Sequence, residues 1–406
     1  MGVKGLSRIL LAVLLLTAST AWSAEIHGRS STQLLWFNDF FNGRTTELAQ
    51  YLQLSITKLD KDGKFSIYGY GRGTQDLTSG DGLNGRLYYL YLDYRDLFDK
   101  ADIKLGRQFV NLSAGSTIID GAQVNLKNIG PVGFTVLGGR DVVFGLNGEI
   151  SHEGNYALGM AAYLTGFRKT DLDISWLRKW DAGDVSRDIL GASVKQYLFN
   201  QVKLYGNARY DLTSEVFNEL LGGVKYFPTA NLILTGEWYQ SYPTFDTTDI
   251  FSVFAVNRYQ EGVFRADYTI NEKISVHAGY SRQDYGDGDG EANVYEAGCT
   301  LRPINSLSIG LAYDRHDGAG GNLDGGTFDV TWDATKALQL AGGLTVDAYD
   351  RDFFPSTSGD QKAQKYWLGG KYRLTKNMSA SLRIEDDINV TYNNNVQGRF
   401  IFDYTF

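Results

Sequence analysis

The residues of this chain that could do chemistry are charged side chains that alternate with apolar or small ones. The side chains that we assign to one face by this alternation are Lys104, Lys203, Arg209, Arg265, Asp267, Lys371, Arg383, Glu385 and Arg399. Successive side chains of a strand point to opposite faces, so these charges would lie away from their apolar neighbours. Both signs are present, and charges along an aqueous path select ions and polar solutes. We predict that these residues face a water-filled lumen.

Candidates for catalysis and metal binding are scarce. The histidines are His27, His152, His277 and His316, and none stands in a recognisable nucleophile motif. Cys299 is the single cysteine and the chain has no C-x-x-C-H motif, so we predict no intrachain disulfide, no covalently attached haem and no His/Cys metal centre. The acidic stretch 284–291 lacks the ligand spacing of an EF-hand and is interpreted as a hairpin loop. We expect no catalytic, cofactor or metal site, and a protein that is not an enzyme.

The elements that would position these charges are strands. Alternation of period 2 is clear in 201–211, 260–270 and 378–387, and each run has about the ten residues that a tilted strand needs to cross the hydrocarbon layer. Counting back from Phe406 gives 21 strands to Gln50, and a further strand fits at about 31–41. We predict an all-β protein, a transmembrane antiparallel up-and-down β-barrel of about 22 strands, with 20 as the alternative.

The connections between these runs alternate in length. Short turns such as 61–63 and 375–377 alternate with longer, Gly- and Asp-rich segments such as 110–116, 140–153 and 348–362. Short periplasmic turns and longer outer loops are the pattern of outer-membrane barrels. The longest segment, 242–259, is predicted to fold inward as a constriction, with 140–153 and 348–362 as the next candidates.

The first residues resemble an export signal. Lys4 and Arg8 precede a short apolar run, and Ala21-Trp22-Ser23 offers small residues for cleavage. We predict that 1–23 is a removed signal peptide, with cleavage after Ala21 as the alternative, and that 24–406 forms one barrel domain in the outer membrane of a Gram-negative cell. The net charge of −8 argues against nucleic acid as a partner.

The last strand carries an aromatic face that ends with the chain. Phe400, Phe402, Tyr404 and Phe406 alternate with residues of the opposite face. The whole mature chain resembles Gram-negative porin-like outer-membrane proteins, and Phe402, Tyr404 and Phe406 resemble the signal that the barrel-assembly machinery reads, although Ile401 stands where Gly is common. The resemblance implies that machinery, outer-membrane lipid and lipopolysaccharide as partners.

One internal segment carries a second resemblance. Ile103-Lys104-Leu105-Gly106-Arg107-Gln108, followed by Asp120-Gly121, is similar to a segment of alginate-export and related substrate-selective porins. No binding residue follows from it. Arg107 lies on the face of apolar neighbours by alternation, so it either extends to the membrane interface or is turned inward by a bulge.

Lipid-facing positions follow from the same alternation. Aromatic residues near strand ends are predicted to form two interfacial girdles: Trp176, Trp180, Trp238, Trp332, Tyr268, Tyr280, Tyr313 and Phe406. Cys299 is predicted to face lipid, as are Leu234 and Leu382, which we expect near the middle of their strands.

Two functions fit this pattern. The first is a porin-like channel that passes small hydrophilic solutes across the outer membrane, because the lumen face is polar. The second is a barrel sheath that houses a multihaem cytochrome partner and so carries electrons across that membrane. High strand number without a spare segment for a plug favours the second hypothesis, since 22-stranded transporters have a plugged lumen.

Overall fold

A computed structural model describes residues 24–39, 43–80, 82–145, 148–244, 257–286, 288, 290–350, 361–390 and 393–406. The predicted signal peptide, 1–23, lies outside the described residues. So do 245–256 and 351–360, which hold most of two of the segments predicted to fold inward.

Within the described residues, 22 antiparallel strands close into one barrel, and two very short strands, β8 and β9, form a separate ribbon. The strands are β1 Glu25–Asp39, β2 Gly43–Thr57, β3 Phe65–Asp76, β4 Asn84–Leu97, β5 Ala101–Leu112, β6 Gly115–Ile129, β7 Val132–Asp141, β8 Phe144–Gly145, β9 Gly148–Glu149, β10 Tyr156–Phe167, β11 Thr170–Asp181, β12 Asp184–Leu198, β13 Val202–Asp211, β14 Val216–Thr229, β15 Leu232–Ser241, β16 Tyr259–Asn271, β17 Ile274–Asp284, β18 Glu291–Ile304, β19 Leu307–Gly318, β20 Asn322–Asp333, β21 Leu338–Asp350, β22 Gln361–Arg373, β23 Met378–Ile388 and β24 Asn395–Thr405. The predicted count of about 22 is confirmed, and β1 begins at Glu25 rather than near residue 31.

The barrel closes between its first and last strands. β1 pairs with β24 from Arg29 opposite Thr405 to Trp36 opposite Gly398. Beyond this ladder, Gly28 and Phe406 exchange two backbone hydrogen bonds of 2.9 and 3.0 Å. Closure leaves the backbone groups of both strands paired, which a wall in lipid requires.

Tight turns join the strands at one end of the barrel. Arg168 and Lys169, between β10 and β11, both have positive φ, of 50° and 64°. Phe199 and Asn200, between β12 and β13, repeat this geometry. Two successive positive φ angles define the type I′ turn, whose twist matches that of antiparallel strands. The longer connections lie at the opposite end, as predicted.

The outer face of the barrel is apolar. Large side chains that alternate outward are exposed, among them Leu368, Phe264 and Leu382, at 70%, 54% and 43%. Such a surface would be unstable in water but is the surface that lipid contacts. No helix in the described part of the chain is long and apolar enough to cross a membrane.

Aromatic residues concentrate near both ends of this outer face. Trp332 and Tyr268 lie toward the short-turn end and Trp238 toward the long-loop end, whereas Tyr280 and Tyr313 lie nearer the middle of their strands than predicted. Leu234 is the third residue of β15 and therefore lies nearer the short-turn end than predicted, whereas Leu382 is central in β23.

Candidate pore lining

A row of glycines marks a line along which the barrel wall bends inward. Gly106 of β5 pairs with Gly121 of β6, which pairs with Gly139 of β7. A Cβ on Gly121 would lie 2.6 Å from the Cα of Gly139, and one on Gly106 would lie 2.5 Å from the carbonyl oxygen of Leu90. Gly106 also has a φ of +120°, a conformation that glycine adopts readily. Only residues without a Cβ allow the three backbones to approach this closely, so the row acts as a crease.

Beyond the crease, the end of the β5–β6 hairpin curls over the lumen side of the neighbouring strands. Its register with β4 ends at Leu90 opposite Arg107, whereas β5 and β6 stay paired to Leu112 opposite Gly115. The side chains that it buries against the wall form one apolar cluster: Val110, Leu112, Ala114, Ile119, Leu137, Ala157, Ala161, Leu177 and Ile189. Burial of a leucine or isoleucine stabilises by about 1.5–3 kcal/mol, so this cluster is a substantial anchor.

Polar contacts fix the tip of the hairpin on β11 to β13. The hydroxyls of Ser113 and Ser175 lie 2.7 Å apart, and the Ala114 amide donates to the Ser175 hydroxyl at 2.7 Å. Nε of Arg209 donates to the Ser113 carbonyl oxygen at 2.9 Å. A Cβ on Gly191 would collide with the backbone of Ala114. Ser175 and Gly191 are paired in register, so adjacent wall residues receive the tip.

The β8–β9 ribbon lies against the other side of the crease. Glu149 of β9 accepts from Arg107 at 2.9 Å and from Arg140 at 3.0 Å, and Arg107 also contacts Asp120 at 2.7 Å. The Arg107 side chain is 12% exposed. No bulge turns Arg107 inward: it stands opposite Leu90 in the ladder with β4, and its guanidinium is enclosed by these two carboxylates. These ion pairs join the creased strands to the loop between β7 and β10.

The β5–β6 hairpin, which curls over the lumen, was not among the segments predicted to fold inward. The segment 110–116 was predicted to be a longer outer loop, but it is the end of a hairpin with a two-residue turn at 113–114. Of the segments predicted to fold inward, 140–153 contains the ribbon, whereas most of 242–259 and 348–362 lies outside the described residues. The sequence signal that could have revealed the crease was the pair Gly106 and Gly121. Gly106 precedes Arg107 and Gly121 follows Asp120, and these two charged residues form an ion pair.

The structure places the predicted lumen residues on the face opposite the apolar belt. Those positions are Lys104, Lys203, Arg209, Arg265, Asp267, Lys371, Arg383, Glu385 and Arg399. Arg209 contacts Glu219 at 2.6 Å, and Arg383 contacts Glu385 at 3.1 Å. Lys104 lies over the ring of Tyr91 at 5.5 Å. The predicted lumen residues lie on different strands around the wall. Of these residues, only Arg209 contacts the curled hairpin.

Carboxylates predominate on the lumen side of β15 to β21. These carboxylates are Glu237, Glu261, Asp267, Glu296, Asp314, Asp329 and Asp347. Arg265 lies among them and contacts Asp267 at 3.1 Å and Glu296 at 3.1 Å. We call this surface the acidic wall. In the order of strands it lies across the lumen from β3 to β10, which include the curled hairpin.

A group of tyrosines stands at the long-loop end of the acidic wall. Tyr259 lies between Tyr239 and Tyr285, with ring centroids 6.2 and 5.5 Å away. Burial, and then the Glu261 carboxylate, raise the pKa of the Tyr285 phenol, which lies outside the strands. The phenol therefore stays neutral and donates to Gln283 at 2.8 Å.

The histidines lie apart, in β1, before β10, in β17 and in β19. Nε2 of His152 lies 3.5 Å from Asp181, and Nδ1 of His316 lies 3.1 Å from the Gly321 carbonyl oxygen. In the part of the chain that the structure describes, no three His, Cys, Asp or Glu residues group as metal ligands would. Cys299 is on the outer face, opposite Val276 and Leu311.

Comparisons with known proteins relate the chain to other barrels by shape. No protein-family model and no curated protein matches it in sequence. A mutant of the ferric enterobactin receptor PfeA from Pseudomonas aeruginosa superposes with a TM-score of 0.62 at 12% identity, over 95% of this chain and 81% of the receptor. OpdQ from Pseudomonas aeruginosa gives 0.49 at 14% identity, over 95% and 99% of the two chains. OccAB2 from Acinetobacter baumannii gives 0.49 at 11% identity, over 95% and 98%.

The likeness to the receptor shows a shared fold and does not extend to what that receptor binds. Together with the closed sheet and the apolar outer face, it defines the class of this protein as a transmembrane β-barrel.

Proposed function

We propose that this protein is an outer-membrane pore for small hydrophilic solutes, narrowed on one side by the curled β5–β6 hairpin. The observation that carries the proposal is the two-sidedness of the wall: charged and hydroxyl side chains line one face, and exposed apolar side chains cover the other. A lumen lined in this way holds water, and solutes that water dissolves can cross it.

The same proposal includes how the protein reaches its membrane. A signal peptide at 1–23 would direct export, and Phe402, Tyr404 and Phe406 would be read by the barrel-assembly machinery. The apolar belt would then contact outer-membrane lipid, and the long-loop end would meet lipopolysaccharide. The short turns would face the periplasm.

The acidic wall supports a preference for cations. Arg265 offsets only part of the negative charge between β15 and β21. Carboxylates along a pore attract cations and repel anions. Asp314 of β19 and Asp347 of β21 both lie on the lumen face of this wall, with β20 between them.

The experiment is current measurement across a planar bilayer that contains the purified mature protein. We expect stepwise conductance, with a reversal potential in a salt gradient that shows cation preference. Asp314→Asn with Asp347→Asn should reduce that preference, whereas Asp324→Asn, on the outer face, should leave it unchanged. A folded protein that gives no conductance would contradict the pore.

A second variant tests the role of the hairpin. Replacing residues 109–118 by an Asn-Gly turn would join Gln108 and Ile119, which are paired in register. We expect a larger conductance, because the curled segment no longer occupies the lumen. Unchanged conductance in a folded barrel would remove the hairpin as a narrowing element.

The sheath remains a second proposal. A barrel of 22 strands has a wide lumen, which gives room for a protein partner. Isolation from native membranes without crosslinking, followed by haem staining, tests this. A cytochrome that remains with the barrel would favour the sheath, whereas a lone conducting barrel would exclude it.

A further inference from the structure

A chain of tyrosine rings lies on the lumen side of β2, β3 and β4. We call its members, Tyr51, Tyr68, Tyr70, Tyr88, Tyr89 and Tyr91, the tyrosine lane. The distances between ring centroids are 6.3 Å for Tyr51–Tyr70, 5.1 Å for Tyr70–Tyr88, 5.7 Å for Tyr70–Tyr89, 5.8 Å for Tyr89–Tyr91 and 5.4 Å for Tyr68–Tyr91. Phe144 of β8 continues the chain beyond Tyr88 at 5.9 Å.

An irregularity in β4 adds one ring to this lane. Tyr70 pairs with Tyr89, but the next residue, Gly71, pairs with Leu87, so Tyr88 is an extra residue in the ladder. A bulge of this kind re-aims a side chain. Because of this bulge, the consecutive residues Tyr88 and Tyr89 both contact Tyr70, which strict alternation would not allow.

Polar side chains border the lane. Arg29, Ser31, Gln33 and Gln53 line one cleft together with Tyr51, Tyr70 and Tyr89. The Gln53 amide donates to the Tyr89 hydroxyl at 3.2 Å, and the Gln33 amide donates to Ser31 at 3.3 Å. These bonds are at the long end of the normal range. A bound solute with hydroxyl groups could replace them at little cost.

Sheet stability alone does not explain six tyrosine rings in one row. Cross-strand aromatic pairs do stabilise sheets, but the six rings are half-buried and stand in the lumen of a wide barrel. Tyrosine offers a rigid apolar face and a polar hydroxyl together. A continuous row of such faces, with amide and hydroxyl groups beside it, matches a solute that is both ring-shaped and rich in hydroxyls.

We propose that the tyrosine lane binds short neutral oligosaccharides as they cross the barrel, an inference that rests on the pore function proposed above. The C–H face of a sugar ring would pack on the tyrosine rings, and its hydroxyls would bond to the amides and phenols beside them. A neutral solute fits because cations beside the lane already have partners: Arg29 is paired with Asp403 at 2.9 Å, Arg95 with Asp93 at 2.8 Å, and Lys104 lies over the Tyr91 ring at 5.5 Å. The length of the lane favours several linked sugar units over one.

Maltohexaose is the probe that tests the lane. Added to the wild-type pore in a planar bilayer, it should interrupt the current, whereas polyethylene glycol of matched mass should not. Tyr70→Leu should raise the half-blocking concentration about tenfold, which corresponds to a loss of about 1.4 kcal/mol. Tyr70→Phe should retain the interruptions. Tyr239→Leu, at a tyrosine outside the lane whose ring contacts that of Tyr259, is the matched control and should behave as wild type.

Calorimetric titration of maltohexaose into the detergent-solubilised protein measures sugar binding independently of conductance. Binding to wild type that Tyr70→Leu weakens supports it. Absence of binding to wild type, or equal effects of Tyr70→Leu and Tyr239→Leu, would overturn it even if the pore conducts. A folded protein that binds the sugar without conducting would instead remove the pore function and leave the lane.

Discussion

Gly121 and Gly139 face each other in register across β6 and β7, with no room between their backbones for a side chain. A Cβ on Gly139 would lie 2.5 Å from the Asp120 carbonyl oxygen and 2.6 Å from the Cα of Gly121. With Gly106 beside them, they form the crease that turns the end of the β5–β6 hairpin into the lumen. The shape of the proposed pore therefore depends on glycines of three strands.

Gly121→Val should straighten or strain the crease. A branched side chain there must displace backbone rather than a flexible side chain, and overpacking typically costs about 1–3 kcal/mol. We expect a lower midpoint of urea-induced unfolding. Gly222→Val is the control, because a Cβ on Gly222 meets nothing within 4 Å. Equal stability of both variants would show that the crease does not need glycine.

Cysteines at positions 113 and 175 should report the docked hairpin. The two serine hydroxyls lie 2.7 Å apart, so Ser113→Cys with Ser175→Cys, in a Cys299→Ser background, should form a disulfide on mild oxidation. The bond can be followed by gel mobility before and after reduction. Ser113→Cys with Ser241→Cys is the unpaired control. Failure of the first pair to crosslink in the folded barrel would contradict the docking.

Arg107→Leu should destabilise the region around the ribbon. Its side chain is 12% exposed and pairs with Asp120 and Glu149, so its loss leaves Arg140 as the one remaining contact of both carboxylates, at 3.9 and 3.0 Å, at a cost of about 1–3 kcal/mol. Arg282→Leu removes an ion pair with Glu291 in which both side chains are more than half exposed, and such pairs contribute about 0–1 kcal/mol. Unfolding in urea measures both. A larger effect at Arg282 would contradict this ranking.

Leu382→Arg should cost about 2–4 kcal/mol, because the residue is central in β23 and points into the apolar belt. Leu234→Arg should cost less, about 0–1 kcal/mol, since it lies near the end of β15. Ser381→Arg, one residue from Leu382 and on the lumen face, is the control and should scarcely change folding. Refolding equilibria in lipid vesicles compare the three.

The strands could be predicted from sequence because the face to which a side chain points depends only on its position along its own strand. Phe400, Phe402, Tyr404 and Phe406 share a face whatever their neighbours do, and the same parity places Cys299 and Leu382 on the outer side. The count of about 22 strands followed from summing such runs. The start of β1 and the depth of Leu234 were misplaced, because alternation does not fix where a strand begins, and 110–116 was predicted as a loop although it is the end of a hairpin.

The crease and the tyrosine lane could not be predicted in this way, because both depend on register between strands. Gly106, Gly121 and Gly139 are separated by 15 and 18 residues in sequence, and only pairing of β5, β6 and β7 brings them into one row. Tyr88 breaks the parity of β4 because of the bulge beside Gly71. The docking of 113–114 on Ser175 joins elements that are remote in the chain.

We infer that one face of the wall meets water through the whole barrel while the other meets lipid. Single cysteines placed along β23 from Ser379 to Glu385, in a Cys299→Ser background, test it by reaction with a charged thiol reagent in intact membranes. We expect labelling at 379, 381, 383 and 385 and protection at 380, 382 and 384. Uniform protection, or labelling without alternation, would contradict it.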